Sequence, residues 1–292
     1  MASPLIDSWA GEDVSIAQIE RELARLRDES SAESAQPNLR TSVMTHIAWV
    51  PPAWESAAEE TLIGMAERHP SRTLLLVPRP DEPDGIDAGL SIRCFPIGDR
   101  AICGEVIDLT LRGARAIAPA SIVLPLLISD LPVFCRWRGM PSFGSGELEQ
   151  MLEIVDRLIV DSTEWDLVPG GYAQLVEVFE RTAVSDIAWT RTERWRRLLA
   201  SLWPDVAGVR ELRVRGTRAQ GHLLAGWLRS RLGHAVELEI DERERLEGID
   251  LDGVPAPFPT NDPPNANDVL SAELDRYTRD AVYEAAVRAA IS

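Results

Sequence analysis

The chain has 292 residues, 45% of them hydrophobic, enough apolar material for one large core or two smaller ones. Thirty basic against 47 acidic side chains leave a formal charge of −17, which repels a polyanion at long range and argues against general nucleic-acid binding. Lysine is absent, so the 30 basic groups are all guanidiniums, which stay charged and grip carboxylates or phosphates with a planar fork.

Ser15 and Gln18 form a candidate capping box ahead of Ile16, Ile19, Leu23 and Leu26, whose steps of three and four place them on one helical face. The small polar run Ser30 to Asn38 then reads as a linker, so residues 1–38 are expected to be an N-terminal helix with its tether. A first α/β domain is expected over 39–165. It starts with a strand in TSVMTHIAWV, a helix over Trp54 to Arg68 with Trp54, Ala58, Leu62 and Met65 on one stripe, and a buried strand in TLLLV. Strands in LSIRCFPI and CGEVIDLTL, a helix in PASIVLPLL, the strand VFCRWR, a helix from Glu147 to about Val155 and the strand RLIVDS complete it. Such alternation implies at least partly parallel pairing.

A second α/β domain is expected over 166–292. Trp195, Leu198, Leu199, Leu202 and Trp203 mark a helix that Pro204 ends. Strand ELRVRG, a helix closed by Gly233, strand AVELEID and a short strand through Ile249 and Leu251 follow. A proline-rich loop from Gly253 to Asp268 leads to a last amphipathic helix through Leu270, Leu274, Tyr277 and Ala281. The fold class is therefore α/β: two α/β units with mixed sheets flanked by helices, an N-terminal helix and a C-terminal amphipathic one.

Cys94, Cys103 and Cys135 are odd in number and include no C-x-x-C pair, which indicates neither a disulfide scaffold nor a zinc knuckle and fits a reducing compartment. The N-terminus carries acids where a secretion signal has bases, and no run approaches the roughly 18 apolar residues of a membrane span. A soluble cytoplasmic protein, with no membrane or nucleic-acid partner, is the expectation. His46, His69, His222 and His234 fall in unrelated contexts, so no metal site is expected. No G-x-S-x-G elbow occurs.

The loop Gly144-Ser145-Gly146 follows a strand and opens a helix, where a dinucleotide fingerprint would lie. Glu149 stands at the third glycine position and Glu147 adds charge at the helix start, which favours a turn with a helix cap over a phosphate site. A P-loop would need a lysine. Asp161 sits at a strand end like a catalytic carboxylate, but D-x-x-E with Glu164 favours a cap. Strand alternation puts Phe134, Arg136 and Arg138 on one face and Cys135 and Trp137 on the other, with one face expected to be exposed. Surface ion pairs and a contact with a protein or anion are both open for these arginines.

Between Thr190 and Arg218 lie eight arginines against Glu193, Asp205 and Glu211, and between Glu237 and Asp252 eight acids against two arginines. The blocks either neutralise each other or form a polarised face for a partner.

The blocks LPLLISDLPVFCRWRG, DRLIVDS, DIAWTRTERWRRLLASLW, LLAGWLRSRLG and ELDRYTRDAVYEAAV, with HPSRTLLLV before them, occur in an order that resembles the glucose-6-phosphate dehydrogenase assembly protein OpcA family. The resemblance runs from about Leu39 to the last helix. It implies a non-enzymatic bacterial protein, without cofactor, that associates with glucose-6-phosphate dehydrogenase at the entry to the oxidative pentose phosphate pathway and favours its active conformation or oligomer. Nine tryptophans and many arginines suit a contact surface. The expected contact residues are Arg136, Trp137 and Arg138 from the strand and Arg191, Arg194 and Arg196 from the basic helix. The alternative is a sugar-phosphate- or nucleotide-binding enzyme, or a metabolite-sensing module, using the strand edge near Gly144–Gly146 and Asp161.

Overall fold

The computed structural model describes residues 5–33, 38–39, 42–58, 71–97, 100–260 and 266–291. The chain is α/β and divides into two compact units, 1–158 and 159–292.

Unit 1 contains β1 (Leu5–Gly11), α1 (Ile16–Glu33), β2 (Asn38–Leu39), β3 (Thr45–Trp49), β4 (Arg72–Arg79), β5 (Gly85–Ile97) and β6 (Arg100–Arg112). The short helices α2 (Ala114–Ile117) and α3 (Ala120–Leu126), strand β7 (Val133–Trp137) and helix α4 (Gly146–Ile154) follow, and the unit boundary falls inside β8 (Arg157–Val160). The strands run in the order β1-β5-β6-β4-β3-β7-β8, with β2 on β6. Parallel pairs join β3 to β4 and β7, and β4 to β6, while β5 runs antiparallel to β1 and β6. Leu74 to Val77 are all buried, as a strand covered on both faces requires.

Helix α1 begins at Ser15, whose hydroxyl accepts the Gln18 amide at 3.3 Å, and it packs on β5 with Ile19, Leu23 and Leu26 buried. Arg27 from α1 and Arg72 from β4 both hold Glu105 of β6, at 2.6 and 2.9 Å. The stretch read as an N-terminal tether continues as helix to Glu33, and β1 was not visible in the periodicity. Of the helix expected over Trp54 to Arg68, a 3₁₀ turn at Pro52–Trp54 and a helical start over 55–58 are present; Leu62 and Met65 lie outside the described residues.

Cysteine spacing misled at one point. Cys94 and Cys103 face each other across the β5–β6 hairpin and form a disulfide, because antiparallel register, not sequence proximity, brings them together. Cys135 is free and fully buried, and burial pushes its thiol up to about 12.

Unit 2 contains α5 (Val168–Val178), β9 (Ala183–Asp186), α6 (Ile187–Arg191), α7 (Glu193–Ser201), β10 (Glu211–Gly216), α8 (Arg218–Leu232), β11 (Glu237–Glu242), β12 (Gly248–Leu251), β13 (Val254–Pro255), α9 (Ala266–Leu274) and α10 (Ala281–Ala290). Its four-stranded sheet has the order β11-β10-β12-β13, with β10 and β11 parallel and the rest antiparallel. Helix α8 forms the crossover; a reciprocal Thr217/Gln220 capping box starts it, and Gly233 at φ +72° stops it. Trp195, Leu199, Leu212, Val214, Leu224 and Leu228 fill the core beneath.

The last helix is broken rather than continuous. Helix α9 stops at Leu274, and Asp280 restarts the chain by accepting the Val282 and Tyr283 amides at 3.0 and 2.9 Å. Tyr277, expected on the buried stripe, is 61% exposed. Among the described residues, no helix is long and apolar enough to cross a membrane.

Candidate functional site

Strand β7 has no exposed face. Residues Val133 to Trp137 are all buried, since β7 lies between two neighbours and side chains cover both faces of the sheet. Trp137 stacks on Trp49 at 4.8 Å, and the Arg136 guanidinium donates to the Trp137 carbonyl. The expectation of an exposed face here is thus corrected. Arg138, just past the strand, is half-buried, and its guanidinium lies 4.6 Å from the centre of the Trp54 ring, which is 36% exposed.

Both positions considered for chemistry serve as caps. Gly144 takes φ +78°, which lets Ser145 sit in an extended conformation and accept the Leu148 amide at 3.4 Å, with Glu147 and Glu149 in the first turn of α4. Asp161 accepts the Thr163 amide at 3.1 Å and its hydroxyl at 2.6 Å, and Arg191 grips its other oxygen at 2.8 Å. Among the described residues, no group of histidine, cysteine and carboxylate side chains could hold a metal ion.

Sequence reasoning passed over a buried polar cluster centred on Asp186, at the end of β9. Its carboxylate accepts the Ser162 and Ala188 amides at 3.0 and 2.9 Å, the Ser162 hydroxyl at 2.6 Å and the Tyr283 hydroxyl at 3.3 Å. Ser162 also meets the Tyr172 hydroxyl at 2.8 Å. Burial, reinforced by the charge of Asp161, pushes the Asp186 carboxyl up to about 7, and burial reinforced by the charge of Asp186 holds the Tyr172 and Tyr283 hydroxyls well above their ordinary range. An aspartate directly before I-A-W-T-R was the legible signal, because such a residue caps a helix.

The basic helices are used unevenly. Arg196 lies over the Trp189 ring at 3.4 Å, bonds the Thr192 hydroxyl at 3.0 Å, and burial pulls its guanidinium down to about 10. The Trp189 indole donates to Asp280 at 3.0 Å, so this stack also fastens the start of α10. Arg194 sits 5.2 Å from the Phe258 ring centre, and that ring meets Trp195 edge-on at 5.4 Å. Arg197 reaches Glu193 one turn away. Further along, Arg213 pairs with Glu239, Arg215 with Asp250 at 2.8 Å and Arg218 with Glu242 at 3.0 Å. The sheet thereby matches the later arginines to the acidic block, as the neutralising reading required.

Among the described residues of unit 2, two open grooves stand out. The larger, about 900 Å³, lies beyond the ends of β10 and β11 at the start of α8, with Trp165, Thr217, Arg218, Glu242 and Glu244 on its walls. The smaller, about 440 Å³, gathers Arg191, Arg194 and Arg197 with Leu198, Phe258 and Val269. Of the six expected contact residues, the second groove brings together Arg191 and Arg194; Arg196 turns inward onto Trp189, and Arg136, Trp137 and Arg138 belong to unit 1. Arg197 and Phe258 were not singled out from sequence, Phe258 because a proline-rich loop carries no periodicity.

Residues 63–177 match the family model described as the glucose-6-phosphate dehydrogenase subunit N-terminal domain, and residues 182–263 match the corresponding C-terminal domain. Among curated proteins, the chain is 31% identical over 182 residues to one from Nostoc punctiforme, covering 58% of this chain and 39% of the relative. It is 28% identical over 184 residues to one from Synechocystis, at 58% and 38% coverage, and 25% identical over 226 residues to one from Synechococcus elongatus, at 67% and 50%. Each of these is named as an OxPP cycle protein, OpcA. The matched region spans half or less of the length of these relatives. No solved structure matches the chain.

Proposed function

This chain belongs to the family of the glucose-6-phosphate dehydrogenase assembly protein OpcA, and we propose that it binds glucose-6-phosphate dehydrogenase and favours the enzyme's active conformation or oligomer without catalysing a reaction itself. The observation that carries this reading is the pair of matches, in chain order, to the two domains described as those of a glucose-6-phosphate dehydrogenase subunit. The capping roles of Asp161 and Ser145 support it, since both groups are held by structural hydrogen bonds where the enzyme alternative needs them for substrate. In this reading Arg138 and Arg194 meet the partner, while Arg191 holds Asp161 and shapes the groove wall beside Arg194. Arg136 and Trp137 act from beneath by packing, and Arg196 by fixing Trp189.

The mechanism is differential binding. A ligand shifts a two-state enzyme only by preferring one state, and a full reversal from 1:99 to 99:1 needs a preference of about 10⁴-fold. The test measures activity and oligomeric mass of the cognate glucose-6-phosphate dehydrogenase with and without this protein at matched concentrations. A rise in activity with a co-migrating complex is expected. No complex and no change, with both proteins folded, overturns the reading.

A further inference from the structure

Asp186 is 1% exposed, and the groups that donate to it are all neutral. Oδ1 accepts the Ser162 and Ala188 amides, while Oδ2 accepts the hydroxyls of Ser162 at 2.6 Å and Tyr283 at 3.3 Å. From Ser162 the hydroxyl chain runs on to Tyr172 of α5 at 2.8 Å, and the Tyr172 hydroxyl also lies 3.4 Å from the Ala219 carbonyl. Ala219 belongs to the first turn of α8 and, with Ser162, Thr217 and Arg218, walls the groove of about 900 Å³.

Each hydroxyl has one hydrogen to give, so the charge on Asp186 decides which way the chain points. When the carboxyl is ionised, Ser162 and Tyr283 both donate to Oδ2. Tyr172 then donates to Ser162 Oγ, its nearer acceptor, and the Ala219 carbonyl receives nothing from it. When the carboxyl is protonated, the hydrogen sits on Oδ2, because Oδ1 already faces two amides. Oδ2 now donates to Ser162 across the shorter contact, Ser162 turns its hydrogen to Tyr172, and Tyr172 turns its own to Ala219. The other route, through Tyr283, ends without a further acceptor for that hydroxyl among the described residues.

We propose that a proton on Asp186 reverses this hydroxyl chain and so fastens the first turn of α8 to α5, holding the groove at the ends of β10 and β11 when Asp186 is neutral and loosening it when Asp186 is charged. The inference stands apart from the partner reading. Burial pushes the Asp186 carboxyl up to about 7, and the charge of Asp161, on the loop after β8, adds to this although Arg191 of α6 holds that side chain. Burial keeps Tyr172 of α5 and Tyr283 of α10 neutral, and Glu273 of α9 adds its charge beside Tyr283. The Tyr172–Ala219 bond is therefore present below about pH 7 and lost as the pH rises through it.

The test is amide hydrogen exchange of the full chain by NMR at about pH 6 and pH 8, corrected for the intrinsic rate. It is read at Gln220 and Gly221, whose amides bond back to Thr217 in the first turn, in the denaturant-independent exchange that reports local opening. In the wild type their protection should fall about fivefold between the two pH values, the worth of one net hydrogen bond. Asp186→Asn, whose NH₂ donates to Ser162 at either pH, should keep the protection of the acid form throughout, and Tyr172→Phe should show the lower protection throughout. Equal wild-type protection at both pH values overturns the proposal, and so does a Tyr172→Phe protein that keeps the fall. Should Tyr172→Phe not fold, the ¹³C shift of the Ala219 carbonyl decides. It should titrate near pH 7 in the wild type and stay flat in Asp186→Asn, and a wild-type carbonyl that ignores pH overturns the reversal.

Discussion

Asp186→Asn separates the electrostatic cost of the buried cluster from its hydrogen bonds. The wild-type carboxyl is 1% exposed and is pushed up to about 7, against about 3.9 in an unfolded chain. A folded-state value above the unfolded one means that the native protein holds a proton that the unfolded chain releases. The resulting stability is fully present below about pH 4 and is lost as the pH rises through 7. At about 1.4 kcal/mol per unit, the loss between pH 5 and pH 8 is about 3 kcal/mol. Asparagine has the same shape, keeps an oxygen for the Ser162 and Ala188 amides, and offers an NH₂ to the hydroxyls of Ser162 and Tyr283, with no charge to bury. Urea unfolding at the two pH values, followed by tryptophan fluorescence, measures the difference between variant and wild type. That difference should move by about 3 kcal/mol in favour of the variant from pH 5 to pH 8. Other titrating groups cancel because both proteins carry them. Parallel stability curves would show that Asp186 titrates in the folded protein as it does in the unfolded chain, and would refute the assignment.

Gly226→Ala tests the packing of α8 on α10. An exposed helical glycine gains about 1 kcal/mol on this change, but a Cβ here would fall on the Ala286 carbonyl and the Ala290 amide, so a net loss of about 1–3 kcal/mol is expected. A stabilised variant in urea unfolding would show that α10 is not seated as described. Glu105→Gln tests the anchor of α1. Burial alone would raise the Glu105 carboxyl, but Arg27 and Arg72 outweigh it and hold it below its ordinary value. Its stabilisation is therefore present above the unfolded value near 4.3 and lost as the pH falls through the folded one. The variant should be about 2–3 kcal/mol less stable at pH 7, with the deficit shrinking toward pH 3. A deficit independent of pH would contradict the ion-pair account.

Periodicity made most of the architecture legible. The run TLLLV reads as a covered strand because it has no polar alternation, and Thr217, Gln220 and Gly233 bracket α8 because caps answer to the needs of unpaired amides and carbonyls. What escaped depended on partners distant in sequence. Strand β1 gains its place only from the antiparallel edge of β5, and the Cys94–Cys103 bond only from the register of a long hairpin. The face of β7 was misjudged for the same kind of reason. Alternation tells which side chains share a face, but whether that face meets water is decided by the layers above it, and β7 is covered on both sides. Tyr277 failed as a helix position because Asp280 offers a better start for α10 than continuation from α9.

The arginine-rich stretch shows why composition could not choose between neutralisation and display. Both occur, in different segments. The sheet brings the acidic strands β11 and β12 to either side of β10, so Arg213 and Arg215 find carboxylates at strand spacing without further design. Helices α6 and α7 lie in the same run, yet their arginines are sorted by rotation about the helix. Arg191 turns toward Asp161 and Arg196 toward Trp189, while Arg197 is left at the surface and Arg194 stands beside Phe258. The side chains that fasten helices to their neighbours and one that stays at the surface, Arg197, are thus only a few residues apart. Charge reversal at Arg191 or Arg196 should therefore unfold the cluster before it reports on binding, whereas the same change at Arg197 should leave the fold intact.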